Sequence, residues 1–181
     1  MTSVEPSMPT PENRDDIVEA VKGILGTLLD MMGVEGSIVP HAKSFAEIEG
    51  TTPIAVDIKG DDLGILIGRR GQTLACLQYI VRLIIGHQMD TWVPIIIDVE
   101  GYKQRRYEAL RTLAGHMAEQ VKTKKAPFVL EPMSAYERRI IHLSLAEHPD
   151  VITQSVGEGE ARKVVISPKD NSISKPTKTK K

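Results

Sequence analysis

Ile67-Gly-Arg-Arg-Gly71 is the stretch of this 181-residue chain whose spacing points most directly to chemistry. Glycines at both corners of a turn leave no Cβ to hold off a sugar–phosphate backbone, and Arg69 and Arg70 between them offer forked donors to its phosphates. A bare GxxG is a weak signal. Here it sits in a strand, short helix, turn, long helix, strand frame running from Ile54 to Val99, where the start of the second helix adds unpaired amides and the positive end of a dipole. The plain alternative is a glycine-cornered turn with two solvated arginines.

A second pair is Arg138 and His142, whose i, i+4 spacing puts both on one helix face. Arginine is a fixed fork for phosphate, and histidine is a compact donor whose charge changes near neutral pH. The same spacing is common on solvated helix faces, so the pair alone decides nothing.

Enzyme chemistry finds little support. The sequence has no GxxxxGK[ST], and Gly64, Gly68 and Gly71 read GxxxGxxG, which does not match GxGxxG. The five histidines, at positions 41, 87, 116, 142 and 148, form no HExxH. The single cysteine, Cys76, excludes an intramolecular disulfide framework and a Cys-paired zinc site, and it reads as a small core residue. Asp15-Asp16 and Asp61-Asp62 stand at predicted helix starts, where carboxylates favour cap amides. No catalytic residue, metal or cofactor is expected.

These residues need elements to position them. Ile17, Val21, Ile24, Leu25, Leu28 and Met32 recur at helical spacing and predict a helix over about 15–32, closed by Gly33. Extended runs at Ser37–His41 and Pro53–Lys59 follow and can pair as a hairpin. Asp61 or Asp62 can cap a short helix through Ile67. Leu74, Leu77, Ile80, Val81 and Ile84 mark a longer helix ending at Gly86, and Trp92–Val99 reads as a buried strand. A long helix over about 101–123, with an apolar stripe of Leu110, Leu113, Ala114, Met117 and Val121, links two domains and has Lys103, Arg105, Arg106 and Arg111 around it. Ala126–Leu130 reads as a strand. Ser134-Ala-Tyr-Glu137 is a capping box opening a helix to about Glu147, and strands follow at Val151–Val156 and Lys163–Ser167 around a Gly157-Glu-Gly159 turn.

Composition sets the outer limits. With 41% hydrophobic residues the chain can build a core, but 4% aromatic residues leave few platforms for base stacking. A net charge of −1 hides a segregation: residues 101–125 carry +5 and 169–181 carry +4, against −6 over 1–50. Such blocks are either solvated faces or the footprint of a polyanion. Residues 1–14, acidic and Pro-rich, and the Lys-rich tail 169–181 read as disordered. No apolar run approaches the roughly 20 residues that cross a bilayer, and no secretion signal is visible at the N-terminus. The cytoplasm is the expected location, without membrane insertion.

With a helix and two strands ahead of the Ile54–Val99 frame, residues 15–100 resemble a KH domain of the type II order, helix-strand-strand-helix-helix-strand. The resemblance implies a groove beside Gly68–Gly71 for about four single-stranded nucleotides, clamped by Gly68, Arg69, Arg70 and Gly71 and lined by Ile65, Ile67 and Leu74. Residues 101–168, with Tyr136-Glu-Arg-Arg-Ile-Ile-His142, Thr153-Gln-Ser155-Val-Gly157-Glu-Gly159 and Arg162-Lys-Val-Val-Ile166, look like an Arg-xxx-His single-stranded nucleic-acid-binding domain, a three-stranded sheet with helices. A KH domain followed by an Arg-xxx-His domain is similar to one bacterial family, the Jag proteins, also called SpoIIIJ-associated or KhpB RNA-binding proteins.

The resemblance implies an α+β protein of two small domains. It further implies a cytoplasmic binder of single-stranded RNA, with single-stranded DNA as the competing ligand, that regulates expression after transcription, is linked to cell envelope growth and cell shape, and works as a homodimer or with a second small KH protein. Many members carry an additional basic N-terminal Jag domain, which this sequence is expected to lack. The competing expectation is a KH-mediated interaction scaffold with nucleic acid secondary.

Overall fold

Helix α1 spans Pro11–Met32, starting four residues ahead of the predicted Asp15. Proline suits a first turn, where an amide would have no partner. Ile17, Val21, Leu25 and Leu29 recur every fourth residue and are buried along one face. Gly33, at φ 64°, ends the helix in a Schellman motif, with Val34 N–H donating to Leu29 O and Gly33 N–H to Asp30 O, each at 3.0 Å. The structure, a computed structural model, describes residues 11–41, 52–90 and 92–169. The predicted disorder of residues 1–10 and 170–181 lies outside the described residues, while residues 11–14 of that predicted segment are helical.

The predicted hairpin is present. Strands β1 (Ser37–Pro40) and β2 (Ile54–Lys59) pair antiparallel, with Ser37 opposite Lys59, and β3 (Ile95–Val99) adds parallel to β2, with Ile54 opposite Ile95. Sheet order is β1-β2-β3. β3 is shorter than its apolar run suggested. Pro94 has no amide for the ladder, although its carbonyl accepts Ile54 N–H at 2.9 Å.

Two helices cross from β2 to β3: α2 (Gly64–Ile67) and α3 (Gln72–Met89). Neither Asp61 nor Asp62 caps α2. Leu63 holds the N-cap position without a side-chain bond, and Asp62 lies at φ 51°. Leu74, Leu77, Val81 and Ile85 turn inward from α3 and complete a core with Ile54, Val56, Ile58, Ile95, Ile97 and Val99. Cys76 is exposed, contrary to its predicted place in the core. It sits between Leu74 and Leu77 in sequence, about 100° or more from each around the helix and off the inward stripe. These elements belong to a unit covering residues 1–103, in the order α-β-β-α-α-β.

The second unit covers residues 104–181. Helix α4 runs Tyr102–Lys124, so the boundary falls in its first turn. Its buried stripe is Leu110, Ala114, Ala118 and Val121; the predicted Leu113 is 38% exposed, and Met117 is only half-buried. Strand β4 (Phe128–Val129) is short. Helix α5 (Ala135–Leu145) is followed by β5 (Val151–Val156) and β6 (Lys163–Pro168) in an antiparallel sheet of order β4-β6-β5. Both units therefore mix helices with a small three-stranded sheet, an α+β fold.

Candidate nucleic-acid interface

The turn between α2 and α3 is built from backbone that most residues avoid. Gly68 lies at φ 66°, ψ −170°, Arg70 at φ 56°, ψ 30°, and Gly71 at φ 80°, ψ 13°. The Gly68 conformation is essentially open to glycine alone, and Arg70 bears a left-handed cost of roughly 1–2 kcal/mol. Neighbours enforce both glycines. A Cβ on Gly68 would fall 2.7 Å from Thr73 Cβ, and one on Gly71 would fall 2.8 Å from Tyr102 Cε1.

This backbone brings Arg69, exposed, and Arg70, half-buried, to the N-terminus of α3. No side chain caps that terminus. An 18-residue helix thus presents its first amides and its positive dipole end beside two guanidinium groups, an arrangement suited to an anion.

The apolar residues expected to line the groove divide. Ile65 on α2 is 66% exposed, and Ile67 is half-buried against the core. Leu74 is 2% exposed and belongs to the core, so it does not face a groove. Its place on the inward stripe of α3, three residues before Leu77 and seven before Val81, turns it away from solvent. Ile65 also borders an open cleft whose other walls include Glu35, Asp61 and Asp62, with Lys59 the one cation among its lining residues. Three carboxylates make that cleft a poor host for phosphate.

In the second unit, the predicted capping box forms as read. Ser134 Oγ accepts from Glu137 N–H at 3.3 Å, and Glu137 Oε2 accepts from Ser134 N–H at 3.0 Å. Sequence reasoning missed what holds the other carboxylate oxygen. Glu137 is buried, and its Oε1 takes Nε and Nη2 of Arg106 on α4, each at 2.8 Å. Two cations counted as available on α4 are thus engaged inside their own units. Arg106 serves Glu137, and Lys103 donates to Gln78 Oε1 at 2.7 Å. Burial holds the Lys103 ammonium below its usual pKa, against the opposing pull of Asp98.

Arg138 and His142 do share a face of α5. Arg138 is half-buried and donates from Nη1 to Met133 O at 2.9 Å. His142 is half-buried and faces β5, where both ring nitrogens have partners: Nδ1 lies 2.6 Å from Thr153 Oγ1 and Nε2 2.8 Å from Ser155 Oγ. Its pKa is lowered, first by desolvation and then by the Arg138 charge. The free site therefore holds a neutral imidazole instead of a ready cation. Thr153 and Ser155 are further members of this site. Their sequence signal was a Thr-x-Ser spacing on a strand, which puts two hydroxyls on one face.

Among the described residues, no group of three or more His, Cys, Asp or Glu side chains is arranged to hold a metal ion, and no helix is long and apolar enough to cross a membrane.

Comparison with known proteins gives independent matches to the two halves. Residues 20–97 match the KH domain of KhpA/KhpB, and residues 108–168 match the Arg-xxx-His domain. RNA-binding protein KhpB of Clostridium symbiosum is 49% identical over 112 residues, covering 62% of this chain and 50% of that protein. Its counterpart in Bacillus subtilis is 37% identical over 123 residues, 67% of this chain and 59% of that protein. The KhpB of Lactiplantibacillus plantarum is 35% identical over 104 residues, 58% of this chain and 32% of that protein. The matched region thus spans about half the length of the first two of these relatives.

Proposed function

From the premise that the chain belongs to the KhpB-like family, in which a KH domain precedes an Arg-xxx-His domain, we propose that it binds single-stranded RNA through both units and catalyses no reaction. The observation that carries this reading is the turn at Gly68–Gly71. Its strained backbone is fixed by Thr73 and Tyr102, and it delivers two arginines to the uncapped start of α3. Arg138 beside His142 supplies a second cationic position in the Arg-xxx-His half. The similar proteins are named RNA-binding proteins, which supports the same ligand.

Sequence selectivity falls to the apolar contacts at Ile65 and Ile67, with hydrogen bonds to base edges. Aromatic stacking contributes little in a chain so poor in aromatic residues. The role that follows is that of a cytoplasmic post-transcriptional regulator linked to envelope growth and cell shape.

A titration of one RNA sequence as a single strand and as a duplex, repeated across salt concentrations, tests this. Three arginines on phosphates give a slope of log K against log[salt] of about −2, at roughly −0.7 per contact. Preference for the single strand with that slope is expected; a zero slope, or preference for the duplex, would contradict the reading.

One observation favours a second reading, in which the KH half is a docking platform for a second copy or a second small KH protein. Cys76, Tyr79, Ile80 and Leu83 are exposed at i, i+3, i+4 and i+7 along α3, an apolar outer stripe opposite the core-facing one. An assembly held by that stripe persists in high salt, whereas RNA binding weakens.

A further inference from the structure

Resting on the RNA reading of the Arg-xxx-His half, we propose that the Thr153 and Ser155 hydroxyls are themselves phosphate donors beside Arg138, and that His142 is a positioning residue that sets how many hydroxyl protons face the ligand. The argument is a count of protons around one ring. His142 has Thr153 Oγ1 on one nitrogen and Ser155 Oγ on the other. A neutral imidazole has one N–H and one bare nitrogen. One hydroxyl must therefore spend its proton on the bare nitrogen, while the other accepts from the ring and keeps its own proton for an outside acceptor.

An imidazolium changes the count. Both ring nitrogens then donate, both hydroxyl oxygens accept, and both hydroxyl protons are released toward the ligand. A phosphate arriving between Arg138 and β5 gains a second neutral donor and a nearby positive charge when the ring takes up a proton from solvent. No bond besides hydrogen bonds is made or broken.

The surroundings fit this division of labour. Thr153 and Ser155 are half-buried, held on one face of β5 by their i, i+2 spacing, while Gln154 between them turns to the other face and is exposed. Opposite them on β6 stand the buried Ile166 and Val164, which offer the hydroxyls no competing partner. The charge acting on the ring is that of Arg138, one turn back on α5; β5 and β6 face it with hydroxyl and apolar groups. Arg138 keeps the free ring neutral. A bound phosphate dianion or diester offsets that charge, so the proton is taken up on binding.

The test uses the full chain, a mixed-sequence single-stranded RNA oligonucleotide, and anisotropy titrations at pH 6 and pH 8 at fixed ionic strength. Wild type is expected to bind more tightly at pH 6, by no more than about tenfold per pH unit, the ceiling for one proton. Thr153→Val and Ser155→Ala keep the strand and are each expected to lose about tenfold at pH 6, as for one hydrogen bond to a charged group. His142→Gln is expected to remove the pH dependence while melting as a folded protein. The ring nitrogen resonances of His142 should move from neutral to imidazolium values on adding RNA at pH 7. Wild-type affinity in both hydroxyl variants, or an unchanged pH dependence in His142→Gln, would overturn the proposal while leaving RNA binding intact. A wild-type chain that bound no RNA at either pH would overturn both.

Discussion

Replacing Gly68 with alanine isolates the strain that the account places in the α2–α3 turn. Two costs act together. The backbone at φ 66°, ψ −170° lies in a region essentially restricted to glycine, worth about 1–3 kcal/mol to any other residue. The new Cβ also falls 2.7 Å from Thr73 Cβ and 3.1 Å from the Thr73 amide nitrogen. Neither of those atoms moves when Thr73 rotates about χ1, so a rotamer change cannot relieve the clash. Overpacking of this kind costs about 1–3 kcal/mol where the surroundings are rigid. Partial relaxation leaves a central expectation of about 3 kcal/mol, which lowers a urea midpoint by roughly 2 M when m is about 1.5 kcal/mol/M. The single tryptophan, Trp92, lies in the unit that contains the turn, so its fluorescence reports the right transition. Gly115→Ala is the contrast. That glycine is exposed inside α4, has ordinary backbone and meets nothing within 4 Å, so alanine there should stabilise the helix by about 0.5–1 kcal/mol. A Gly68→Ala protein with the wild-type midpoint and slope would refute the reasoning.

Two further outcomes follow from the second unit. Arg106→Met leaves Glu137 buried without its ion partner; because the guanidinium is itself partly exposed, the expected loss is about 1–3 kcal/mol. Glu137→Gln, which keeps the cap, should make the Arg106 change nearly silent in a double-mutant cycle followed by circular dichroism. His142 gives a pH dependence of stability in the free protein. Its folded pKa is depressed, so on acidification the unfolded ring, at about 6.5, binds its proton first. Stability should therefore decline as pH falls from about 7 through 6.5 toward the folded value, and thermal melts of His142→Gln should lack that decline.

Much of this architecture is written in periodicity. The Ile54, Val56, Ile58 alternation and the Leu74, Leu77, Val81 stripe each fix which face is buried, and the Ser134–Glu137 box sets a helix start to the residue. The type II order and both site motifs could be read the same way. Other features depend on contacts distant in sequence. Arg106 looked like a free cation because Glu137, 31 residues away, is invisible to local pattern. His142 looked like a ready phosphate donor because its hydroxyl partners lie on β5, across a turn. Leu74 stands beside the GxxG in sequence yet points into the core, since helical rotation, not chain proximity, decides facing. Cys76 went wrong for the same reason. Asp62 reads as a cap by type, but its left-handed backbone takes it out of the N-cap position.

The claim at the centre is that Arg69 and Arg70, held at the start of α3 by a glycine-cornered turn, carry RNA binding in the KH half. Arg69→Asp/Arg70→Asp reverses two charges at an accessible turn while leaving Gly68, Gly71 and the core side chains untouched. A binding titration and a melt on the same sample decide it. The account predicts a wild-type melt with affinity for single-stranded RNA reduced at least about a hundredfold, roughly the loss of two charge-assisted contacts. A folded double variant that binds with undiminished affinity would contradict it.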